Sequence, residues 1–334
     1  RTSPQAQPGP ATRRNHPLLV ELYRQSLVYF LRDRQPPVHL VEAWWGDLSA
    51  DDRATLMREV PLVIGNLDGV PINARIAANA QSAQHFAEMP DISIDEQHYW
   101  QRVADGSVTL VVSDPAQSRI VEMIGELGPH TTKVLTYVPG TGTQMKHFFQ
   151  GEAQQVSRYL VARSASNTVA FVYKDGSWVS WVGENSNTHY EFLHELGQGV
   201  QRFQSQVIDR EPSLGDVDRV AAGHSAGVTV LSAAEIAGAE FDLVVSLGGS
   251  YLLQAWQPEQ GTNYHHFQYE NDLINRIDQG RLHTPHELDQ IFEPHIFDSN
   301  GRAQLHSHSR VAQGPATNSA VLRELARVLE EKGP

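Results

Sequence analysis

The chain has 334 residues, 40% of them apolar and 19% charged, with a formal net charge of −13 and no cysteine. This is a globular composition long enough for one large domain or two average ones. The acidity argues against a phosphate-backbone or anionic-lipid partner, and the lack of cysteine excludes disulfides, thiolate metal sites and a cysteine nucleophile.

Residues 1–15, rich in Pro, Gln and Arg, read as a disordered arm. The chain starts at Arg1 and is expected to be a fragment or a processed chain. No stretch approaches the ~18 consecutive apolar residues of a membrane helix. A soluble protein, cytoplasmic or secreted, is therefore expected, with no transmembrane segment.

Residues 16–100 read as a helical N-terminal region. Leu18, Leu19, Leu22, Leu27, Phe30 and Leu31 recur at helical spacing. Ser49 is placed to cap a helix, and Ile76–Met89 reads as another. From residue 101 the pattern changes to an α/β domain running to residue 334. Val108–Val112 and Ile120–Ile124 flank Asp114-Pro115 as a hairpin. Strands are expected at Val134–Val138, Thr168–Tyr173, Val217–Ala222, Phe241–Leu247 and Tyr264–Tyr269. Helices are expected at Met145–Ser164, Tyr190–Val207, Ala226–Ala237 and Asn318–Glu331. Strands alternating with helices after a hairpin predict a mostly parallel central sheet covered on both faces.

Gly223-His224-Ser225-Ala226-Gly227 lies between a predicted strand and a predicted helix. A G-x-S-x-G turn in that context lifts a serine hydroxyl clear of the sheet as a nucleophile. The residues two before and two after must be small for so tight a turn. His224 reads as packing, not as a base. A serine needs a base, and the base needs a carboxylate to orient it. In such a sheet the order is Ser, then Asp or Glu, then His. Asp272, just past Tyr264–Tyr269, is the candidate acid, with Glu270 as rival. Of the tail histidines, Leu305-His306-Ser307-His308-Ser309 is expected to be a loop before the last helix. His308, nearer that helix, is the candidate base and His306 the alternative. An H-x-H on a strand can bind metal, and His265-His266 lies upstream, but no carboxylate–histidine zinc pattern accompanies it. No metal and no cofactor are expected.

The oxyanion of acyl transfer needs preorganised N–H donors. Ala226 is one, and the loop Val138-Pro139-Gly140-Thr141-Gly142-Thr143 offers Thr141 first and Gly142 second. Trp178, Trp181 and Tyr190, after the Thr168–Tyr173 strand, are expected to line an apolar substrate pocket.

Trp44-Trp45-Gly46-Asp47-Leu48, the Pro61–Pro71 segment with Gly65-Asn66-Leu67-Asp68-Gly69-Val70-Pro71, Ala78-Asn79, the Val138–Thr143 loop and Gly223-His224-Ser225 resemble a bacterial, largely actinobacterial family of α/β-hydrolases. The resemblance runs from about Val41 to the last helix. It implies the α/β-hydrolase fold and a Ser-Asp-His triad, carried onto Ser225, Asp272 and a tail histidine. Ala226, Val228 and Arg310 depart from the family's usual residues. The expected activity is hydrolysis of a small-molecule or lipid-like ester. A thioesterase or amidase on the same triad, and a non-catalytic binding module keeping the fold, are the competing readings. The Gly65–Pro71 segment reads as a connector held by Asn66 and Asp68.

Overall fold

The computed structural model describes residues 35–164, 167–272, 283–299 and 304–331. The arm over residues 1–15 and the helical spacing from Leu18 to Leu31 lie outside the described residues. Helices α1 (Val38–Asp47), α2 (Ala50–Glu59), α3 (Pro61–Ile64), α4 (Ile72–Ala87) and α5 (Ile94–Ala104) come first. Ser49 caps α2, its hydroxyl accepting the Asp52 N–H at 3.1 Å, which satisfies one of the unpaired donors at a helix start.

Eight strands then form one sheet: β1 (Thr109–Asp114), β2 (Arg119–Ile124), β3 (Lys133–Val138), β4 (Thr168–Asp175), β5 (Asp218–His224), β6 (Leu243–Leu247), β7 (Asn263–Tyr269) and β8 (Phe292–Phe297). Their order is β1-β2-β4-β3-β5-β6-β7-β8. β2 runs antiparallel to both β1 and β4, and the remaining neighbours are parallel. Between and after them lie α6 (Met145–Phe149), α7 (Gln155–Arg163), α8 (Tyr190–Phe203), α9 (Ala226–Ile236), α10 (Gln304–Arg310) and α11 (Pro315–Glu330). Period-two alternation sends Val169, Phe171 and Tyr173 to one apolar cluster with α8 and α9. Ala170 and Val172 go to the other, with α5, α7 and α11. This is the α/β-hydrolase fold.

Three segments differ from expectation. The single helix read over Met145–Ser164 is two helices, because Gly151 turns the chain at φ +73° and Gln154 spends its side chain on Glu122 and the Phe148 carbonyl. β8 is a strand the residue pattern hides. Its Phe-Glu-Pro-His-Ile-Phe sequence contains a proline, which a sheet edge tolerates because one side of the strand needs no ladder bond. His306 and His308 stand on a helix, not a loop.

The N-terminal helices join the sheet through buried amides. Asn66 closes a two-way bond with Ser113 on β1: its Oδ1 accepts the Ser113 N–H and its Nδ2 donates to the Ser113 carbonyl, both at 2.9 Å. Asn79 Nδ2 donates to Gly65 O and Leu110 O at 3.0 and 2.9 Å. Asp68 pairs with buried Arg75 at 3.1 Å, and Arg75 Nε donates to Val111 O at 3.0 Å. Asn66→Ala strips the Ser113 amide of both partners in a site closed to water. It is expected to lower unfolding stability by about 2–3 kcal/mol, read by urea denaturation; a shift within error shows that the helices do not depend on this bond.

α9 is buried over almost its whole length. Near its end Glu235 accepts from Trp256 Nε1 and from the Tyr264 hydroxyl, each at 2.7 Å. Burial outweighs these two donors and pushes its carboxyl up to about 7 from 4.5. The folded state therefore favours the protonated acid. That stability is fully present below about 4.5 and is lost as pH rises through about 7, a span of ~3 kcal/mol at 1.36 kcal/mol per pH unit. Thermal melts from pH 4.5 to 8 are expected to show this decline in the wild type and a flatter curve in Glu235→Gln. Equal slopes in the two proteins contradict the assignment.

Candidate active site

β5 delivers the chain to Ser225 at the rim of the sheet, and α9 leaves from Ala226. Ser225 has φ 52° and ψ −122°, a conformation costly for a residue with a Cβ. Its neighbours impose it. A Cβ on Gly227 would stand 2.2 Å from the Val138 carbonyl oxygen, and one on Gly223 would stand 2.7 Å from the Val228 nitrogen. The Ser225 N–H donates to Leu247 O and its carbonyl accepts from Ser250 N, both at 3.1 Å.

Asp272 follows β7 and His308 sits on α10. The structure brings both to Ser225. His308 Nε2 lies 2.9 Å from Ser225 Oγ, and His308 Nδ1 lies 2.9 and 3.2 Å from the two oxygens of Asp272. Ser225, His308 and Asp272 are 5%, 6% and 2% exposed. Low local polarity strengthens such bonds. The carboxylate favours a proton on Nδ1 and leaves the Nε2 lone pair for the hydroxyl. Glu270, the rival acid, is exposed on the turn.

His306 is exposed and His308 buried for a geometric reason. Two residues along a helix differ by about 200° in direction, so only one of the pair can face Ser225. The same geometry removes the H-x-H metal reading of these two residues, which required a strand.

α10 is held by contacts that no motif announces. The Tyr269 hydroxyl donates to Asn318 Oδ1 at 2.7 Å, Asn318 Nδ2 donates to Val311 O at 2.8 Å, and the Arg310 guanidinium lies 4.3 Å from the Tyr269 ring centre. β7, which precedes Asp272, is thereby tied to the turn that follows His308. His224 packs against His308, ring centres 5.2 Å apart. Burial, and then the proximity of the His308 imidazole, pushes its pKa down to about 3. It is neutral near neutral pH and is not bonded to the serine.

On the oxyanion side, Gly142 is not available: its N–H donates to Val179 O at 2.7 Å. Among the described residues the N–H groups of Ala226 and Thr141 have no protein acceptor. Gly140 sits so close to the elbow that a Cβ there would be 3.2 Å from Ser225 Cβ.

Of the three residues expected to line a pocket, Trp178 does not. It is 6% exposed within the core, and its indole N–H reaches Gly140 O at 3.1 Å and Pro139 O at 3.3 Å. It fixes the loop from beneath because a buried indole needs an acceptor. Trp181 and Tyr190 are 69% and 51% exposed, and the Trp181 indole borders Gly142, 3.4 Å from where a Cβ would stand. A cavity of about 910 Å³ opens on the other side of the loop, bordered by Thr141, His224, Tyr159, Arg158, Ala312 and Gln313.

No protein-family model matches the chain and no curated protein matches it in sequence, so the family resemblance rests on its own segments. Solved structures similar to the chain include a carboxylesterase from Mesorhizobium loti, at 10% identity and a TM-score of 0.41, covering 64% of this chain and 96% of that one. Dienelactone hydrolase from Anabaena variabilis matches at 15% identity and a TM-score of 0.40, covering 66% and 91%. An alpha-beta serine hydrolase homologue from Coxiella burnetii matches at 13% and 0.36, covering 66% and 94%.

Proposed function

We propose that the protein is a serine hydrolase that cleaves a carboxylic ester through an acyl-enzyme, with Ser225 as nucleophile, His308 as base and Asp272 as the carboxylate that orients it. The observation that carries this reading is the pair of bonds made by one imidazole, to Ser225 Oγ at 2.9 Å and to Asp272 Oδ1 at 2.9 Å. His308 takes the hydroxyl proton as the oxygen attacks the ester carbonyl. Asp272 stabilises the imidazolium that forms. The oxyanion is received by the N–H groups of Ala226 and Thr141, aimed before the reaction begins and needing no reorganisation. His308 then protonates the leaving alcohol, and a water activated by the same nitrogen releases the acid.

The ester reading is supported by the surroundings of the loop. Trp181 exposes apolar surface beside Gly142, and Tyr190 is exposed as well; such surface suits an acyl or lipid-like group. The cavity on the other side presents Tyr159 and Ala312 together with Arg158 and Gln313, a mixed lining that fits a polar alcohol or acid portion.

Fluorophosphonate labelling is expected to mark the wild type and not Ser225→Ala. His308→Ala is expected to lose activity by a factor on the order of 10⁶, while His306→Ala keeps it; the reverse result sinks the assignment of the base. No label on folded wild type leaves a binding module in place of an enzyme. A panel of acyl esters, thioesters and amides, read as kcat/KM, is expected to favour the ester.

A further inference from the structure

We propose that the protein holds a divalent metal ion of the zinc class between β7, β8 and α11, ligated by His265, His295 and Glu293. His265 and Glu293 are direct partners across the parallel β7–β8 pair. His295 stands two residues beyond Glu293, so strand alternation puts it on the same face. His265 Nδ1 and His295 Nε2 are 3.0 Å apart, and Glu293 Oε2 is 3.8 Å from the same His265 nitrogen. All three donor atoms lie within 4.8 Å of one another. Tetrahedral zinc with bonds of about 2.0–2.1 Å spaces its donors about 3.3 Å apart. The imidazoles meet that spacing within a few tenths of an ångström, and Glu293, at the rim, has only to swing inward.

What surrounds the donors favours a ligand over a chance meeting. The two imidazoles are 10% and 9% exposed at the side chain, and Glu293 is 65% exposed, which provides a path for an ion and for the water that completes four-coordination. On its far side, His295 Nδ1 lies 3.4 Å from Glu324 Oε1 of α11. A carboxylate there holds the proton on Nδ1 and aims the Nε2 lone pair at the site, the arrangement that outer carboxylates give metal-bound histidines. Glu324 is itself gripped by Arg327 at 2.7 and 3.1 Å. The His295 ring is fixed in plane by Phe267, stacked at 4.2 Å and 8°. Two imidazoles, one carboxylate and no thiolate suit zinc or a neighbouring first-row ion better than magnesium or calcium. The ion lies at the edge of the sheet, where it fastens the edge strand β8 to β7 and so to the turn that carries Asp272. Its role is structural.

The test uses the full chain, stripped with chelator and titrated with Zn²⁺ by calorimetry, with parallel thermal melts. The wild type is expected to bind one equivalent and to melt higher with Zn²⁺ but not with Mg²⁺. Glu293→Gln is exposed and is expected to melt like the metal-free wild type, yet to bind more weakly by at least about 10-fold and to lose the Zn²⁺-dependent rise. His265→Gln is expected to do the same, and Glu324→Gln to weaken binding to a smaller degree. If Glu293→Gln and His265→Gln keep wild-type affinity and the same rise, zinc is binding elsewhere among the histidines and the site is refuted. A wild type with no Zn²⁺-dependent rise refutes it equally.

Discussion

The structure depends on one residue held where residues with side chains seldom stay. Ser225 sits at φ 52° between a parallel strand and a buried helix. Such strain persists only where the surroundings over-determine it. Here they do: the Leu247 carbonyl and the Ser250 amide hold its two backbone ends, and the Val138 and Pro139 carbonyls leave no room for anything but glycine at 227. The helix that follows is packed on nearly every side, so the elbow cannot relax by sliding α9. The hydroxyl is thus fixed before any partner arrives, and the rest of the site is a matter of bringing an imidazole and a carboxylate to a stationary point.

Those two groups come from distant segments, and their meeting is a property of the sheet. Asp272 stands past the end of β7, two strands over from β5 in the order of the sheet. His308 arrives on α10, a helix of two turns. Tyr269, Asn318 and Arg310 couple the two. Tyr269 precedes Asp272 by three positions, and Asn318 bonds the carbonyl of Val311, three positions after His308. A disturbance of this coupling reaches both groups, since Asp272 and His308 are also bonded to each other.

The parts of this arrangement that were legible in the residues are the local ones. A glycine-framed serine between an apolar strand and a small-residue helix is written in eleven consecutive residues, and Asp272 follows directly from where a strand stops. The histidine narrows only to two because Leu-His-Ser-His-Ser carries no helical periodicity and weak helix propensity; α10 forms through tertiary contacts. Once it is a helix, the choice between His306 and His308 is one of direction alone. Gly142 is a fair candidate donor on glycine content, but a backbone N–H is allotted by what lies opposite it, and Val179 does. Trp178 reads as a pocket wall because an aromatic cluster reads alike whether it faces a ligand or the underside of a loop. The Asn66 and Asn79 bonds to β1 pair side chains with backbone 31 to 47 positions away, which no local pattern encodes.

β7 makes the same point in a single strand. Asn-Tyr-His-His-Phe-Gln-Tyr has no apolar alternation, so the rule that a buried face fixes register has little apolar pattern to act on. Polar pairs take over. On one face Tyr264 meets Glu235, His266 meets Ser246 at 2.8 Å and Gln268 meets His286 at 2.6 Å. On the other, His265 meets His295, Phe267 stacks on the same ring and Tyr269 meets Asn318. A slip of one residue turns every one of these groups to the wrong layer and leaves buried donors and acceptors facing apolar surface, at a cost of about 1–3 kcal/mol for each. Register is therefore set by the sum of several such penalties. It has to be set firmly, since Asp272 lies three residues beyond the last of these pairs, and a shift of one position along the strand, about 3.3 Å, exceeds the whole length of the bond that His308 makes to it.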